Sequence, residues 1–278
     1  MSSETTTLTA GLPRQMPMTR RRTLPTFGED GGWWGAGAVV SALALWELAW
    51  QMRWIDPLFV SGPSAILQRM WFEFTGDGTL LGHIAFSAQN FLYGFSLAVI
   101  VAVPLGIVLG WYRIPRLICE PFISGFYSTP RIALVPLIVI WFGIGFTSNV
   151  FIVFLSAFFP ILVNTIHGVK TTDRQLLRTA ASFCATEWAI FATLVVPACV
   201  PFIVTGLRQG VAHGLIGVVV GEFLVGSFGI GYIVGQAGMM FQTDLLFAAV
   251  IIIAGTGIAL QILLTRVERH FERWRPKN

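Results

Sequence analysis

The chain has 278 residues, of which 55% are hydrophobic and only 12% are charged, and its mean hydropathy is +0.72. Soluble domains carry about a quarter charged residues, so this composition excludes an ordinary soluble domain and a disordered chain. The 3 cysteines lack paired or CxxC spacing, which excludes a disulfide scaffold, and the net charge of +4 is spread between apolar runs instead of forming a nucleic-acid-binding face. The composition therefore indicates an integral membrane protein.

The N-terminal 32 residues are polar and rich in serine and threonine, and we predict a disordered cytoplasmic tail there. Three consecutive arginines, Arg20–Arg22, come before the first apolar run, as they would in an export signal. Residues 27–32 separate the two, however, and no small-x-small cleavage site follows the apolar run. We therefore predict an uncleaved first transmembrane helix at 33–51.

Six segments are apolar enough over roughly 20 residues to cross a hydrocarbon core about 30 Å thick. They lie near residues 33–50, 84–111, 117–145, 150–168, 201–225 and 245–264. The third contains Pro121, Pro130, Pro136 and Arg131. We predict that its first half approaches along the cytoplasmic surface and that 132–145 enters the membrane with a proline kink. The predicted fold class is an all-α integral membrane protein with about six transmembrane helices.

Positive charge marks one side of these spans. Of the 18 basic residues, 16 fall in the N-terminal tail, the second and fourth connections and the C-terminal tail at 266–278, and only Arg53 and Arg69 fall on the other side. Short loops rich in lysine and arginine stay cytoplasmic, so we predict a multi-pass bacterial inner-membrane protein with both termini in the cytoplasm. Arg131 and Arg208 are assigned to the cytoplasmic ends of their spans.

Residues 52–82 form the predicted external segment between the first two spans. Glycines and prolines bracket a short amphipathic helix near 64–74, and its Trp71, Phe72 and Phe74 suit a membrane interface. Glu47, near the external end of the first span, is interpreted as an interfacial anchor.

The connection 170–200, between the fourth and fifth spans, is too long for a tight turn and too apolar for a solvated linker. Asp173 can cap a helix over 174–183, and Thr186 can cap a second helix after it. Two short helices joined by a bend would form a cytoplasmic projection on which another protein can dock.

This region and the spans around it resemble the permease subunits of type I ATP-binding-cassette (ABC) importers, in the branch that carries nitrate, taurine and aliphatic sulfonates. The matching stretches are PRIALVPLIVIWFGIG at 130–145, AFFPILVNTIHGVK at 157–170, LRTAASFCATE at 177–187, VPACVPFIVTGLR at 196–208, GVVVGEFL at 217–224 and GIGY at 229–232. They occur in the family's order and spacing, and the resemblance implies an ABC transmembrane type-1 domain at 83–265.

The resemblance implies that 170–200 carries the family's coupling loop, whose short helix seats in a groove of the ATPase subunit. The residues carried over to that docking loop are Arg174, Leu177, Arg178, Thr179, Ala180, Ala181, Phe183, Cys184, Ala185, Glu187, Pro197 and Pro201. The implied partners are two ABC ATPase subunits, which bind ATP and Mg, a periplasmic or lipid-anchored substrate-binding protein, and a second permease copy in the lipid membrane. A heterodimer with a related permease is the alternative, and no nucleic-acid partner is expected.

Two positions depart from the family's pattern. Arg178 stands where the family usually has glutamate. This reversal indicates either a partner ATPase with a compensating acidic residue or a solvated position that is insensitive to charge. Cys184 stands where the family usually has glycine, at the bend between the helices. A left-handed backbone is expected there, so a cysteine would cost about 1 kcal/mol or force a different turn.

Four residues within the spans are candidates for the translocation path: Asn164, His213, Gly217 and Glu222. Glu222 follows a stripe of glycines at 206, 210, 214, 217 and 221, a spacing that lets helix backbones approach closely. Its carboxylate is expected either to line the path or to pair with a neighbour. The histidines show no metal-ligand spacing, so no metal site is assigned.

We predict a non-catalytic permease for a small solute, with a sulfonate, taurine or nitrate favoured by the resemblance and a neutral vitamin or pyrimidine precursor as the alternative. An ion-coupled secondary transporter is the competing class, but no internal repeat is evident and Glu222 alone supports it weakly. The sequence lacks the GxxxxGK[ST] loop of ATPases, so ATP hydrolysis is assigned to a separate subunit. No catalytic or cofactor-binding residue is assigned to this chain.

Overall fold

A computed structural model describes residues 31–54, 56–76 and 79–271, and every regular element in these ranges is helical. The helices are α1 (Gly31–Gln51), α2 (Pro63–Thr75), α3 (Thr79–Trp111), α4 (Arg113–Ser128), α5 (Val135–Phe142), α6 (Phe146–Lys170), α7 (Arg174–Ser182), α8 (Glu187–Ile190), α9 (Val196–Val225), α10 (Ile230–Met239) and α11 (Thr243–Phe271). A 3₁₀ turn, Arg131–Leu134, leads into α5, and a π-helical turn, Phe191–Val195, joins α8 to α9.

The chain divides into two units, Met1–Leu45 and Trp46–Asn278. The described part of the first unit is the N-terminal portion of α1, and the second unit holds all the other helices. The predicted disordered tail lies outside the described residues as far as residue 30, and the predicted basic tail does so from residue 272 onward. Since α11 continues to Phe271, the last helix runs past the predicted boundary at 265; no glycine or proline interrupts the sequence there.

Four described stretches are each long and apolar enough to cross a membrane: Leu80–Trp111, Phe146–Lys170, Glu187–Val225 and Thr243–Arg266. They correspond to the second, fourth, fifth and sixth predicted spans. The first predicted span coincides with α1. Four tryptophans together with Glu47 and Gln51 lower the hydropathy of α1, and its crossing of the membrane stays a prediction.

The third predicted span consists of two helices, in agreement with the different courses predicted for its first half and for 132–145, and a sharp break takes the place of the predicted kink. Arg113–Ser128 and Arg131–Phe142 meet at an angle of 93° and are long enough for one further crossing only if they are taken together. The break falls at Thr129, whose ψ of 130° is extended. A residue before proline is pushed out of the helical region by the proline ring, so Pro130 explains the position of the break.

Helix α6 lies between α3 and α9 and packs closely against both because glycines face it from each side. A Cβ atom on Gly94 of α3 would lie 2.6 Å from the Val150 carbonyl oxygen of α6. On α9, a Cβ on Gly217 would lie 2.7 Å from Ser156 Oγ, and one on Gly206 would lie 3.0 Å from the Asn164 Cβ. The predicted close approach along the glycine stripe is therefore confirmed.

The segment after α1 is tied to the helices by polar contacts at the first turn of α2. Glu47 accepts hydrogen bonds from the Ser64 backbone N–H at 3.0 Å and from Ser64 Oγ at 2.7 Å, so its carboxylate caps α2. Ser61 Oγ lies 2.8 Å from Thr243 Oγ1, at the start of α11. The predicted short helix is confirmed as α2, and Trp71 and Phe72 on it are exposed. Its external location stays a prediction.

We expect Gly94→Ala to destabilise the protein. The added methyl group would collide with backbone atoms of α6 and force the helices apart, which costs about 1–3 kcal/mol. Gly255→Ala in α11 is the matched control, because a Cβ there meets no atom within 4 Å. Thermal unfolding in detergent should show a lower midpoint for Gly94→Ala alone, and equal midpoints for the two variants would contradict this packing.

Candidate functional site

The connection between α6 and α9 begins with a capped helix. The Asp173 side chain accepts a hydrogen bond from the Gln175 N–H at 2.7 Å, which caps α7 as the sequence predicts. Thr186 Oγ1 accepts from the Ala189 N–H at 3.3 Å and caps α8 in the same way. Both predicted caps are confirmed.

The bend between the two helices centres on Cys184, whose φ of 56° is left-handed as expected. The Ala185 N–H donates to the Ala180 carbonyl at 3.2 Å, and the Cys184 N–H donates to the Ala181 carbonyl at 3.0 Å. This pair of bonds is the Schellman motif, which ends helices at a residue that is usually glycine. The thiol side chain is therefore accommodated with the usual turn intact, at a cost of about 1–2 kcal/mol relative to glycine.

One side of α7 is anchored to the membrane helices, and the other side is exposed. Leu177 packs against a buried cluster of Val169, Val195 and Cys199. Phe183, at the end of α7, is 83% exposed. The other predicted docking residues on the open side are Arg178, Thr179, Ala181, Cys184 and Glu187, with Ala180 and Ala185 half-buried, and Arg174 begins the helix.

Pro197 and Pro201 do not belong to the exposed loop, and this corrects their assignment. They are half-buried within the continuous helix Glu187–Val225. Pro197 has no N–H to donate to Thr193, four residues earlier, and the backbone widens into a π turn in which the Val196 N–H donates to the Phe191 carbonyl. The prolines thus change the winding of the helix without ending it.

Glu222 of α9 is fully buried, and both carboxylate oxygens accept hydrogen bonds. Ser87 Oγ donates to Oε2 at 2.7 Å, Asn90 Nδ2 donates to Oε1 at 2.8 Å, and the Gly231 N–H of α10 donates to Oε2 at 3.0 Å. These bonds join α3, α9 and α10 and offset the cost of burying a carboxylate. The expected pairing of Glu222 with neighbours is therefore observed, and its place in the translocation path stays a prediction.

The partners of Glu222 were not predicted from the sequence. Ser87 and Asn90 stand three residues apart in an apolar helix, a spacing that places both on one helix face and that would have indicated a polar contact. Gly229 is also required, since its φ is 116° and a Cβ there would collide with the Glu222 carboxylate.

A second set of polar groups lines a cavity of about 360 Å³ bounded by the 3₁₀ turn and by α4, α5, α6 and α9. Arg131, Ser156, His213 and Gly217 line it, so two of the four predicted path residues, His213 and Gly217, lie together. Asn164 is absent from this lining. Its Nδ2 donates to the Gln209 Oε1 at 2.8 Å and ties α6 to α9.

Arg131 lies at mid-height of α6, and this corrects its assignment to the cytoplasmic end of a span. Its Nη1 donates to the Ser156 carbonyl at 3.2 Å. At 1.5 Å per residue, Ser156 lies about 15 Å from one end of α6 and about 21 Å from the other. The Ser156 carbonyl is available because Pro160, four residues later, lacks the N–H that would bond to it.

Within the described residues, no three His, Cys, Asp or Glu side chains come together as metal ligands would. That the chain works without its own metal or cofactor stays a prediction. The exposed loop and the mid-height cavity are therefore the two candidate functional regions.

We expect Glu222→Ala to lower the free energy of unfolding by about 1–3 kcal/mol, because the Asn90 and Gly231 donors would remain buried without an acceptor. Glu222→Gln keeps one acceptor oxygen, so its loss should be smaller. Glu120→Gln, at an exposed position of α4, serves as the control. The midpoints of thermal unfolding in detergent should fall in the order control, Gln, Ala, and an unchanged midpoint for Ala would show that the network contributes no stability.

Comparison with known proteins places both regions in a family. Residues 102–275 match the family described as the binding-protein-dependent transport system inner membrane component. A putative ABC transporter permease protein of Methanocaldococcus jannaschii is 36% identical over 84% of this chain and 89% of that protein. The taurine transport system permease protein TauC of Escherichia coli is 30% identical over 86% of this chain and 88% of its own length.

The fold agrees with a solved structure of the MetNI methionine ABC transporter in an inward-facing conformation. The TM-score is 0.60 at 16% identity, and the match covers 69% of this chain and 96% of the other. At this identity the likeness shows the type I importer fold and nothing further. The family match over residues 102–275, the similar permeases and the long apolar helices lead to one conclusion. The chain belongs to the inner-membrane component family of binding-protein-dependent transport systems and is a multi-pass permease subunit of an ABC importer.

Proposed function

We propose that the exposed part of the connection 170–200, at 174–188, docks an ABC ATPase subunit and that the chain imports a small anion of the sulfonate class. The observation that carries the docking proposal is the contrast between Leu177, packed among membrane helices, and Phe183, 83% exposed on the same short helix. Leu177 would link motion of the loop to the spans, and Phe183 would supply apolar contact area to the partner.

The same loop presents charge around its aromatic side chain. Arg178 is exposed on α7, and Trp188 on α8 is 74% exposed. An ATPase groove with an acidic residue opposite Arg178 and an apolar pocket for Phe183 would complement this surface. ATP and Mg would bind to that subunit.

The proposed assembly contains two permease copies, two ATPase subunits and an external substrate-binding protein. Each chain has one such loop, so two copies would present one loop to each ATPase. Closure of the ATPase pair would then draw the loops together and shift the equilibrium between inward- and outward-open pathways. Both chain termini and the loop would lie in the cytoplasm, as the distribution of basic residues indicates.

The solute class is supported by similarity to the taurine permease of E. coli and by an arginine at mid-membrane height. A buried cation is costly in an apolar protein and favours an anionic solute. A neutral solute is the alternative, and an uptake assay distinguishes it from an anion.

Cys184 provides a native probe of orientation and docking, because it is exposed whereas Cys199 is buried and Cys119 is half-buried. In a variant with Cys119→Ser and Cys199→Ser, a membrane-impermeant maleimide should label Cys184 in inside-out vesicles and leave it unlabelled in right-side-out vesicles. Co-expression of the ATPase subunit should protect Cys184 in the inside-out vesicles. Labelling from the outer side would contradict the proposed topology, and labelling unaffected by the ATPase would contradict docking at this bend.

Phe183→Ala and Leu177→Ala should have different consequences. Loss of the exposed ring should reduce copurification of the ATPase at least about tenfold with unchanged thermal stability of the permease, as for an interface hot spot. Leu177→Ala should lower the unfolding midpoint, because it leaves a gap beside Val169 and Cys199. Undiminished copurification of the Phe183→Ala protein would overturn the docking surface proposed here.

A further inference from the structure

The guanidinium of Arg131 lacks a counter-ion within the described part of the chain. An ion pair joins Arg69 and Glu73, far from this site in sequence. Arg131 instead donates to the Ser156 carbonyl at 3.2 Å and lies 5.6 Å from the centre of the Tyr127 ring. A half-buried cation at the mid-height of an apolar helix is held here by a backbone carbonyl and an aromatic ring alone.

Two hydrogen-bonding atoms at this place have no partner in the described residues. They are Nε of Arg131 and Nδ1 of His213, both buried. An Arg131 N–H without an acceptor costs about 1–3 kcal/mol. These two atoms are themselves shielded, but Arg131 and His213 are only half-buried and line the same cavity, so a molecule there can contact the exposed parts of the guanidinium and the imidazole.

Most of the remaining lining is apolar, and Tyr127, Ser128 and Thr129 add hydroxyl groups at one side. Val135, Ile138 and Ile152 are buried beside the polar groups, and the volume of about 360 Å³ lies within the range of small-molecule sites. A ligand that fits must therefore carry an oxyanion for the guanidinium and a short apolar body for the aliphatic wall. Guanidinium groups bind oxyanions through paired N–H donors, which gives both charge and orientation.

We propose that Arg131, with His213, forms a binding subsite for the oxyanion head of the transported solute, and that short organic sulfonates are the class of solute it fits. This inference rests on the proposed import of an anion. The solute would meet the subsite after release from the external binding protein, and the cation would lower the free energy of the anion halfway across the apolar core.

The test uses the full complex of permease, ATPase and binding protein in liposomes of phosphatidylcholine, which carry no anionic lipid. Uptake of radiolabelled taurine, ethanesulfonate, nitrate and riboflavin is measured together with ATP hydrolysis stimulated by the binding protein. The variants are Arg131→Gln and Arg131→Lys. The matched control is Arg113→Gln, which removes the same charge at an exposed position outside the cavity.

For Arg131→Gln we expect uptake of the sulfonates per ATP hydrolysed to fall about 10- to 100-fold, the loss of one charge-assisted interaction, with stimulated ATP hydrolysis retained. Arg131→Lys should restore part of the uptake, and Arg113→Gln should match the wild type. A purely structural role for Arg131 would lower uptake and hydrolysis together, and that result would overturn the subsite.

The remaining outcomes separate this inference from the proposed function. If the wild type imports the sulfonates and Arg131→Gln imports them equally well, the subsite alone is wrong and the proposed anion import stands. If the wild type imports riboflavin and none of the anions, the proposed anion import and the subsite are both wrong, and the permease assignment stands. If the wild type imports none of the four solutes, the proposed anion import fails and the subsite fails with it. If Arg131→Gln differs from the wild type only after anionic lipid is added, the oxyanion belongs to a lipid headgroup and the solute subsite is overturned.

Discussion

Close contact between α6 and its neighbours is the constraint on which the other features depend. Glycines of α3 and α9 face α6 over most of its length, and side chains at these positions would collide with its backbone or with its side chains. In an apolar membrane the association of helices rests on packing and on interhelical hydrogen bonds, so the short distance between helices is the source of stability. The same distance brings Ser156, His213 and Arg131 within reach of one another.

The loop and the cavity are connected through this packed unit. Leu177 contacts the cluster formed by Val169 near the end of α6 and by Val195 and Cys199 at the start of the long helix. Because Gly168 of α6 has no side chain, Phe202 and Cys199 pack directly against α6 beside this cluster. A displacement of α7 would therefore move α6 and α9 together. Residues of both helices line the cavity. The π turn at Phe191–Val195 lies between the loop and the cavity, where a helix is least regular.

Sequence patterns predicted the elements whose causes are local. The caps at Asp173 and Thr186, the left-handed turn at Cys184 and four of the spans follow from side chains within a few residues, and all are observed. The consequences of the prolines were harder to predict because they differ. Pro130 separates two helices, whereas the helix continues through Pro197 by forming a π turn. Which outcome occurs depends on the surrounding packing.

The candidate sites were predictable to the extent that their residues are unusual for their segment. Glu222, His213 and Gly217 stand out in an apolar helix, but the partners that define their environments come from positions far away in sequence. Arg131 was assigned by its neighbours in sequence, which include Arg113 and Arg116, whereas its height in the membrane follows from a contact with α6. Long-range contacts of this kind leave no trace in the spacing of residues.

The acceptor that orients Arg131 is a main-chain atom, and this fact changes which residue controls the site. Any amino acid at position 156 carries the same carbonyl, so replacing the Ser156 side chain would leave the acceptor in place. The determinant is Pro160, because any other residue there would bring an amide hydrogen that competes with the guanidinium for that oxygen. The orientation of the arginine is thus encoded on a different helix, by the chemistry that a proline lacks.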